Sequence, residues 1–231
     1  MIAGVGAGIV VLGIALHARN AEASTMSSRV NPSTKLADLR GEYAAMYAAA
    51  QIRPERLASV DALVSTLASH RDRYEGLSRD TGVPWYVIAI LHAMEGGGSS
   101  GRFTGHLHNG DTLARRTTSY PPNRPVAPPA AGEGQPYTWE ESGRDALSRW
   151  HSVTDWSLPA TLWRLEGYNG FGTRGHGVPT PYLWSYTDQY TKGKYTSDGP
   201  TGWNPEFVSR QVGAAAILKR MEQRRIIPAL A

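Results

Sequence analysis

Two carboxylic acids flank a glycine-rich turn near the middle of the chain. Glu95 ends an apolar run and is followed by three glycines, and Asp111 closes the segment GRFTGHLHNGD (101–111). A carboxyl group at the end of an apolar helix is poorly solvated, so its charged form is disfavoured and its pKa should rise. A carboxylate on an exposed turn should stay ionised. The two side chains are therefore expected to differ in pKa.

Two carboxyl groups with unequal pKa values can cleave a glycosidic bond. The protonated group donates to the leaving oxygen, and the other stabilises the oxocarbenium ion, attacks it or activates water. We therefore expect Glu95 to be the general acid and Asp111 to be the second carboxylate. Both also have an ordinary explanation, because Glu95 could merely end its helix and Asp is common in turns.

His106 and His108 form a His-x-His pair, which on a strand would direct both rings to one face. With Asp111 or His176 they could bind zinc, as in a metal-dependent peptidase or amidase. A helical His-Glu-x-x-His motif is absent from the sequence. We expect the imidazoles to contact sugar or phosphate, and expect no metal or other cofactor.

Glu166 is a rival acid, since it also lies near a helix end and before a glycine. We expect it instead to brace the turn formed by Tyr168 and Asn169 through polar contacts.

The elements that position these residues are predicted to be mostly helical. Apolar residues at helical spacing, with caps and glycine stops, predict six helices. They span 36–51, 54–82 with Gly82 as its C-cap, 83–98 as a central buried helix, 139–151 with a capping box from Thr138, 158–172 ended by Gly167 or Gly170, and 205–225. The Asn-Gly pair in 101–113 predicts a β-hairpin.

The composition indicates a globular protein with a mild positive charge. The chain has 231 residues, of which 41% are hydrophobic and 19% charged. It has no cysteine, which excludes disulfides, a thiolate nucleophile and a cysteine zinc site. The formal net charge of +4 suits an anionic polymer such as nucleic acid, a membrane surface or a cell wall.

The N-terminal segment is expected to lie outside the folded domain. Residues 2–16 are uncharged, but as a helix they would reach only ~22 Å, short of a ~30 Å hydrocarbon core. Ala21-Glu22-Ala23 is typical of a signal-peptidase site, although a basic n-region is missing. We expect a signal or weak anchor at 1–23, a linker at 24–35 and one domain at 36–231; a start further upstream is the alternative.

The residues around Glu95 resemble the active-site core of the lysozyme superfamily, in which a Glu closes a buried helix beside a small hairpin. The stretch LEGYNGFG (165–172) is similar to the Tyr-Asn-Gly motif of lytic transglycosylases and related muramidases. HLHNGD (106–111) and the tract 168–199 look like those of phage and prophage lysozyme-like proteins. Two features depart from the transglycosylase pattern, because a glycine follows Glu95 where serine is usual and Glu-Gly precedes the motif.

The resemblance, which covers about residues 80–200, implies a mainly α (α+β) fold: a lysozyme-like helical domain with a small β-hairpin beside the active-site helix. It implies an enzyme that cleaves the β-1,4 bond between N-acetylmuramic acid and N-acetylglucosamine, either as a lysozyme or as a lytic transglycosylase. Such an enzyme would act as an endolysin. Glu95 matches the catalytic acid. The candidate substrate contacts are Tyr168 and Asn169 from the motif and, by proximity, His106, His108, Tyr182, Tyr190 and, as the sugar-stacking tryptophan, Trp184.

The expected partner is the glycan strand of peptidoglycan, with no nucleic acid involved. We expect a monomer exported to the periplasm or cell wall, with a transient tether at the inner membrane as one route. Three alternatives stay open. They are a metal-dependent peptidoglycan peptidase or amidase built on His106, His108 and Asp111, a non-catalytic wall-binding protein, and a chitinase-like specificity.

Overall fold

The computed structural model describes residues 30–197 and 199–230. The predicted signal or anchor at 1–23 lies outside these residues, as does the first part of the predicted linker. Within the described ranges, no helix is both long enough and apolar enough to cross a membrane.

The described chain is mainly helical, as the sequence predicted, and it contains one small antiparallel sheet. The helices are α1 (Leu36–Ala49), α2 (Leu57–Ser69), α3 (Arg71–Thr81), α4 (Trp85–Met94), α5 (Trp139–Leu147), α6 (Leu158–Asn169), α7 (Pro181–Trp184) and α8 (Ala214–Gln223). Strands β1 (Lys194–Tyr195) and β2 (Trp203–Asn204) pair with Lys194 opposite Asn204.

Helix α4 lies at the centre of the fold. Its sequence WYVIAILHAM is apolar on almost every side, and residues 87–92 have no exposed surface. A helix of this kind must be surrounded, and α4 packs against α2, α3, α6 and α8. Burial of each large aliphatic side chain contributes about 1.5–3 kcal/mol, so α4 is a rigid base for the residue that follows it.

Local sequence signals placed several helix ends correctly. Thr138 and Glu141 form the predicted capping box, with the Glu141 amide donating to the Thr138 hydroxyl at 3.1 Å. Gly82 ends α3 in the left-handed conformation, and Gly170, one of the two expected glycines, ends α6. These signals act within one helical turn.

Three predicted elements differ from the structure. The helix predicted for 54–82 divides at His70, and in 205–225 only Ala214–Gln223 is helical. The hairpin predicted for 101–113 is a tight turn with a single bridge between Gly105 and Thr112, and the sheet lies elsewhere. The turn replaces strands because the Gly110 amide donates back to the His106 carbonyl at 2.8 Å.

Candidate active site

Glu95 follows the last residue of α4, and its amide donates to the Leu91 carbonyl at 2.8 Å. Its side chain is half-buried. Burial raises the pKa of Glu95 to about 7, and a hydrogen bond from Tyr182 offsets part of that rise. A carboxyl group that titrates near neutral pH can donate a proton there, which is the property of a general acid.

Two side chains from distant segments hold the end of α4. The Tyr182 hydroxyl, from α7, donates to Oε1 of Glu95 at 2.7 Å. The side-chain amide of Gln211 donates from Nε2 to the Met94 carbonyl at 2.8 Å. Tyr182 is only 6% exposed, and its hydroxyl positions the Glu95 carboxyl group. Since Tyr182 also lines one of the cavities beside Glu95, its role as a substrate contact stays a prediction.

The Asn-Gly turn at 109–110 packs directly against this helix end. Gly110 has a φ of 79°, and a Cβ atom there would collide with the Glu95 carbonyl oxygen. A second close approach occurs within the turn, where a Cβ atom at Gly105 would lie 2.8 Å from the Gly110 oxygen. These contacts place His108 and Asn109 beside Glu95.

An open groove runs past Glu95 and consists of two cavities. The Glu95 cavity, of about 540 Å³, is lined by Glu95, His108, Asn109, Ser119, Tyr120, Pro121, Arg124, Asp145, Ala146, Ser148, Arg149, Tyr168 and Asn169. The Tyr195 cavity, of about 350 Å³, is lined by residues that include Asn169, Tyr182, Lys194, Tyr195 and Gln211. The two cavities share Asn169 in their walls, and the Tyr195 cavity is also lined by Tyr182, which bonds to Glu95.

The Tyr-Asn pair of the predicted motif lies at the centre of this groove. Asn169 is exposed and lines both cavities. Tyr168 is half-buried, lines the Glu95 cavity and donates its hydroxyl to the Leu107 carbonyl at 2.8 Å. Asn169 is thus available to a ligand, whereas the Tyr168 hydroxyl ties α6 to the turn.

Asp111 does not line the Glu95 cavity. Its carboxylate accepts hydrogen bonds from the amides of Thr118 and Ser119, at 2.7 and 2.9 Å, and from both of their hydroxyl groups. These bonds to the charged form, led by the Ser119 and Thr118 amides, lower the pKa of Asp111 to about 2. Asp111 therefore anchors the loop that carries Ser119 and Tyr120 into the cavity, and the prediction that it is the second catalytic carboxylate is not supported.

A different carboxylate lines the Glu95 cavity. Asp145 pairs with Nε of Arg124 and with Nε2 of His108, both at 2.8 Å, and accepts from the Val126 amide. Burial lowers the pKa of His108, and the hydrogen bond that its ring donates to Asp145 opposes that shift. The sequence analysis missed Asp145, although Ser142, Asp145 and Arg149 follow one another at helical spacing and share a face.

His106 is fully buried and lies behind the groove wall. Its Nδ1 is 2.9 Å from the Ser142 hydroxyl and its Nε2 is 2.8 Å from the Arg115 carbonyl. Both ring nitrogens are occupied, so His106 holds the turn against α5 and does not contact a ligand in the groove. This corrects its prediction as a substrate-binding residue.

Two of the aromatic residues predicted to contact sugar, Trp184 and Tyr190, do not line the groove. Trp184 is 1% exposed and belongs to the core, so neither ring face is accessible for stacking. Tyr190 is 4% exposed, and its hydroxyl donates to the carbonyls of Gly193 and Phe207. Tyr120, which is 84% exposed at the rim of the Glu95 cavity, is an accessible ring that sequence analysis did not select.

Glu166 is 1% exposed and is part of a buried ionic cluster. It accepts two hydrogen bonds from the Arg174 guanidinium, both at 2.8 Å, and one from the Tyr43 hydroxyl at 2.6 Å. Arg174 also binds Glu42 and the carbonyl of Asn31, which ties residues at the end of the predicted linker to the domain. Glu166 is a brace, as expected, but its partners are α1 and the turn at 172–176.

The residues proposed for a metal site are engaged elsewhere. His106 has no free ring nitrogen, His108 binds Asp145, and the Asp111 oxygens hold a loop. His176 bonds to the Tyr195 hydroxyl at 2.9 Å and stacks on Trp203 at 3.9 Å. Across residues 30–197 and 199–230, no group of three His, Cys, Asp or Glu side chains is arranged to hold a metal. The geometry gives no support to the peptidase alternative.

Comparison of the chain with models of protein families, with curated proteins and with solved structures found no match.

Proposed function

We propose that this protein is a peptidoglycan-degrading glycosidase that cleaves the β-1,4 bond between N-acetylmuramic acid and N-acetylglucosamine. The observation that carries the proposal is Glu95, a half-buried carboxyl group with a pKa of about 7 in the wall of an open groove. Two adjoining cavities beside Glu95 suit a polymer, because sugars on either side of the cleaved bond can be bound.

Glu95 donates its proton to the glycosidic oxygen as the bond to the leaving sugar breaks. Asp145, the other carboxylate on the wall of this cavity, stabilises the oxocarbenium ion through its carboxylate oxygens, which Arg124 and His108 hold in place. Either water or a hydroxyl group of the sugar then attacks the anomeric carbon; the first gives a lysozyme and the second a lytic transglycosylase. Glu95, now ionised, takes up the proton that the nucleophile releases.

The lysozyme-like fold is part of this proposal. Its support is a buried helix that ends in Glu95, a tight turn against that end, and a Tyr-Asn-Gly segment at the centre of the groove. An endolysin that is exported to the cell wall agrees with these features and with the net charge of +4. Fusion of residues 1–25 to a periplasmic reporter tests export, and a reporter retained in the cytoplasm would contradict it.

Mass spectrometry of fragments released from purified peptidoglycan tests the activity. The wild type, Glu95→Gln and the control Glu206→Gln, an exposed carboxylate paired with Lys192, are compared with and without a chelator. Muropeptides with reducing N-acetylmuramic acid ends identify a lysozyme, and muropeptides with anhydro ends identify a transglycosylase. In either case the products should disappear in Glu95→Gln and persist in Glu206→Gln. Stem-peptide cuts that survive Glu95→Gln, or a wild type without products, would refute the proposal.

A further inference from the structure

Arg149 lies on the wall of the Glu95 cavity and is exposed. It follows α5 in the short 3-10 turn Ser148–Trp150. Arg124, in the same cavity, is neutralised by Asp145 at 2.8 Å. Among the residues that the structure describes, by contrast, no carboxylate forms an ion pair with Arg149. The cavity thus has a cation whose charge the protein leaves uncompensated.

Two aromatic rings fix the plane of this guanidinium group. Its Cζ atom lies 4.6 Å from the centroid of the Tyr168 ring and 5.1 Å from that of the Trp150 ring. Contact through the face leaves the N–H groups at the edge free, in the planar fork that matches a carboxylate. Contact with two rings restricts the guanidinium group, which reduces the conformational entropy that is lost when it binds an anion.

Arg149 and Glu95 line the same cavity. The positive charge of Arg149 also reaches Tyr182, the hydrogen-bond donor to Glu95: burial raises the pKa of Tyr182 well above its ordinary value, and Arg149 counteracts part of this rise. An anion bound by Arg149 would therefore share the cavity with the sugar that Glu95 protonates.

We propose that Arg149 binds a carboxylate carried by the substrate, and that the groove thereby selects an acidic glycan over a neutral one. This inference rests on the proposed function and adds a specificity-determining residue to it. In peptidoglycan the carboxylate is part of the substituent on muramic acid. It is the lactyl group in peptide-free strands, and a carboxylate of the stem peptide in intact strands. Chitin has neither group.

Isothermal titration calorimetry in an inactive Glu95→Gln background tests the inference. The ligands are peptide-free glycan strands and intact peptide-bearing strands, each kind used with free carboxyl groups and with those groups converted to methylamides. The parent should bind the acidic form at least about tenfold more tightly than the amide, and Arg149→Gln should abolish this preference. Arg149→Lys, which retains charge but loses the fork, should keep part of it. Arg144→Gln, at an exposed ion pair with Asp80, is the control and should bind like the parent.

The outcomes separate this inference from the proposed function. Loss of the preference for acid in Arg149→Gln, with Arg144→Gln unchanged, supports it. A parent that binds acid and amide equally for both kinds of strand, or a preference that survives Arg149→Gln, overturns it, even when the wild type releases glycan fragments. If the preference appears only with intact strands, the bound group is a stem-peptide carboxylate; if it appears with peptide-free strands, it is the lactyl group.

Discussion

The Tyr182 hydroxyl donates to Oε1 of Glu95 at 2.7 Å, across 87 positions of sequence. Burial and this hydrogen bond act on the carboxyl group in opposite directions, because burial disfavours the charged form and the donor stabilises it. Their balance sets the pKa of Glu95 at about 7. Tyr182 therefore adjusts the acid without being consumed in the reaction.

We expect kcat/KM for glycan cleavage to fall as the pH rises through about 7, because Glu95 must be protonated to act. Tyr182→Phe removes the hydrogen bond that stabilises the charged form, so the pKa of Glu95 rises further. The falling limb of the pH profile, where kcat/KM drops as Glu95 ionises, should therefore move up by about one pH unit. The measurement is kcat/KM on soluble glycan strands between pH 4 and 9.

Tyr168→Phe is the matched control for this experiment. It removes a tyrosine hydroxyl group from the wall of the Glu95 cavity, but the hydrogen bond of that hydroxyl goes to the Leu107 carbonyl rather than to Glu95. The rate is expected to fall while the position of the limb stays unchanged. Equal shifts in both variants would contradict a specific effect of Tyr182.

Glu95→Gln should be inactive and yet more stable than the wild type at high pH. The folded pKa of about 7 exceeds the ordinary value of 4.5, so the protonated group costs nothing below pH 4.5 and folding stability is lost as the pH rises through 7. The measurement is the free energy of unfolding in urea, for the variant and the wild type, at pH 4 and at pH 8. The difference, variant minus wild type, should be about 1–3 kcal/mol larger at pH 8 than at pH 4. A difference independent of pH would show that the carboxyl group is not strained by burial.

Asp111 and Asp145 should respond differently to replacement by asparagine. Asp111→Asn weakens the anchor of the loop at 118–119, so KM should rise several-fold while kcat stays within about threefold of the wild type. Asp145→Asn removes negative charge from the cavity wall, so kcat should fall about 100-fold. Separate measurements of kcat and KM decide this, with thermal unfolding as a check on folding, and the reverse pattern would restore Asp111 as the catalytic carboxylate.

Glu166→Gln should lower stability and spare the chemistry. It leaves the buried Arg174 with an incomplete set of partners, and breaking a buried ion pair costs about 3–5 kcal/mol. Urea unfolding should show this loss, while activity per folded molecule below the transition stays within a fewfold of the wild type. A stable but inactive Glu166→Gln variant would instead make Glu166 the acid.

Sequence reasoning succeeded where the signal is local. The apolar run and the glycines after it fix the end of α4, and hence the setting of Glu95, within a few residues. The capping box at Thr138 is similarly self-contained. The prediction of a single helix failed at His70, where the helix divides with no adjacent glycine or proline. There, tertiary packing outweighs the local preference for helix.

The residues of the groove wall were harder to find, because their signals are not local. Asp145 and Arg149 belong to a polar helix face, which in sequence is indistinguishable from a solvated surface. Conversely, Trp184 and Tyr190 follow the Tyr-Asn-Gly motif closely in sequence but are buried away from the groove. Proximity along the chain was a poor guide to proximity in space.

The close packing of the Asn-Gly turn on α4 has a consequence for how the gene can vary. Gly105 and Gly110 carry no functional group, yet a methyl group at either position would displace the backbone that faces Glu95. In a saturation library selected for cell-wall lysis, both codons should thus be as intolerant of change as the codon for Glu95. Their neighbours Thr104 and Thr112, which are exposed, should accept many substitutions.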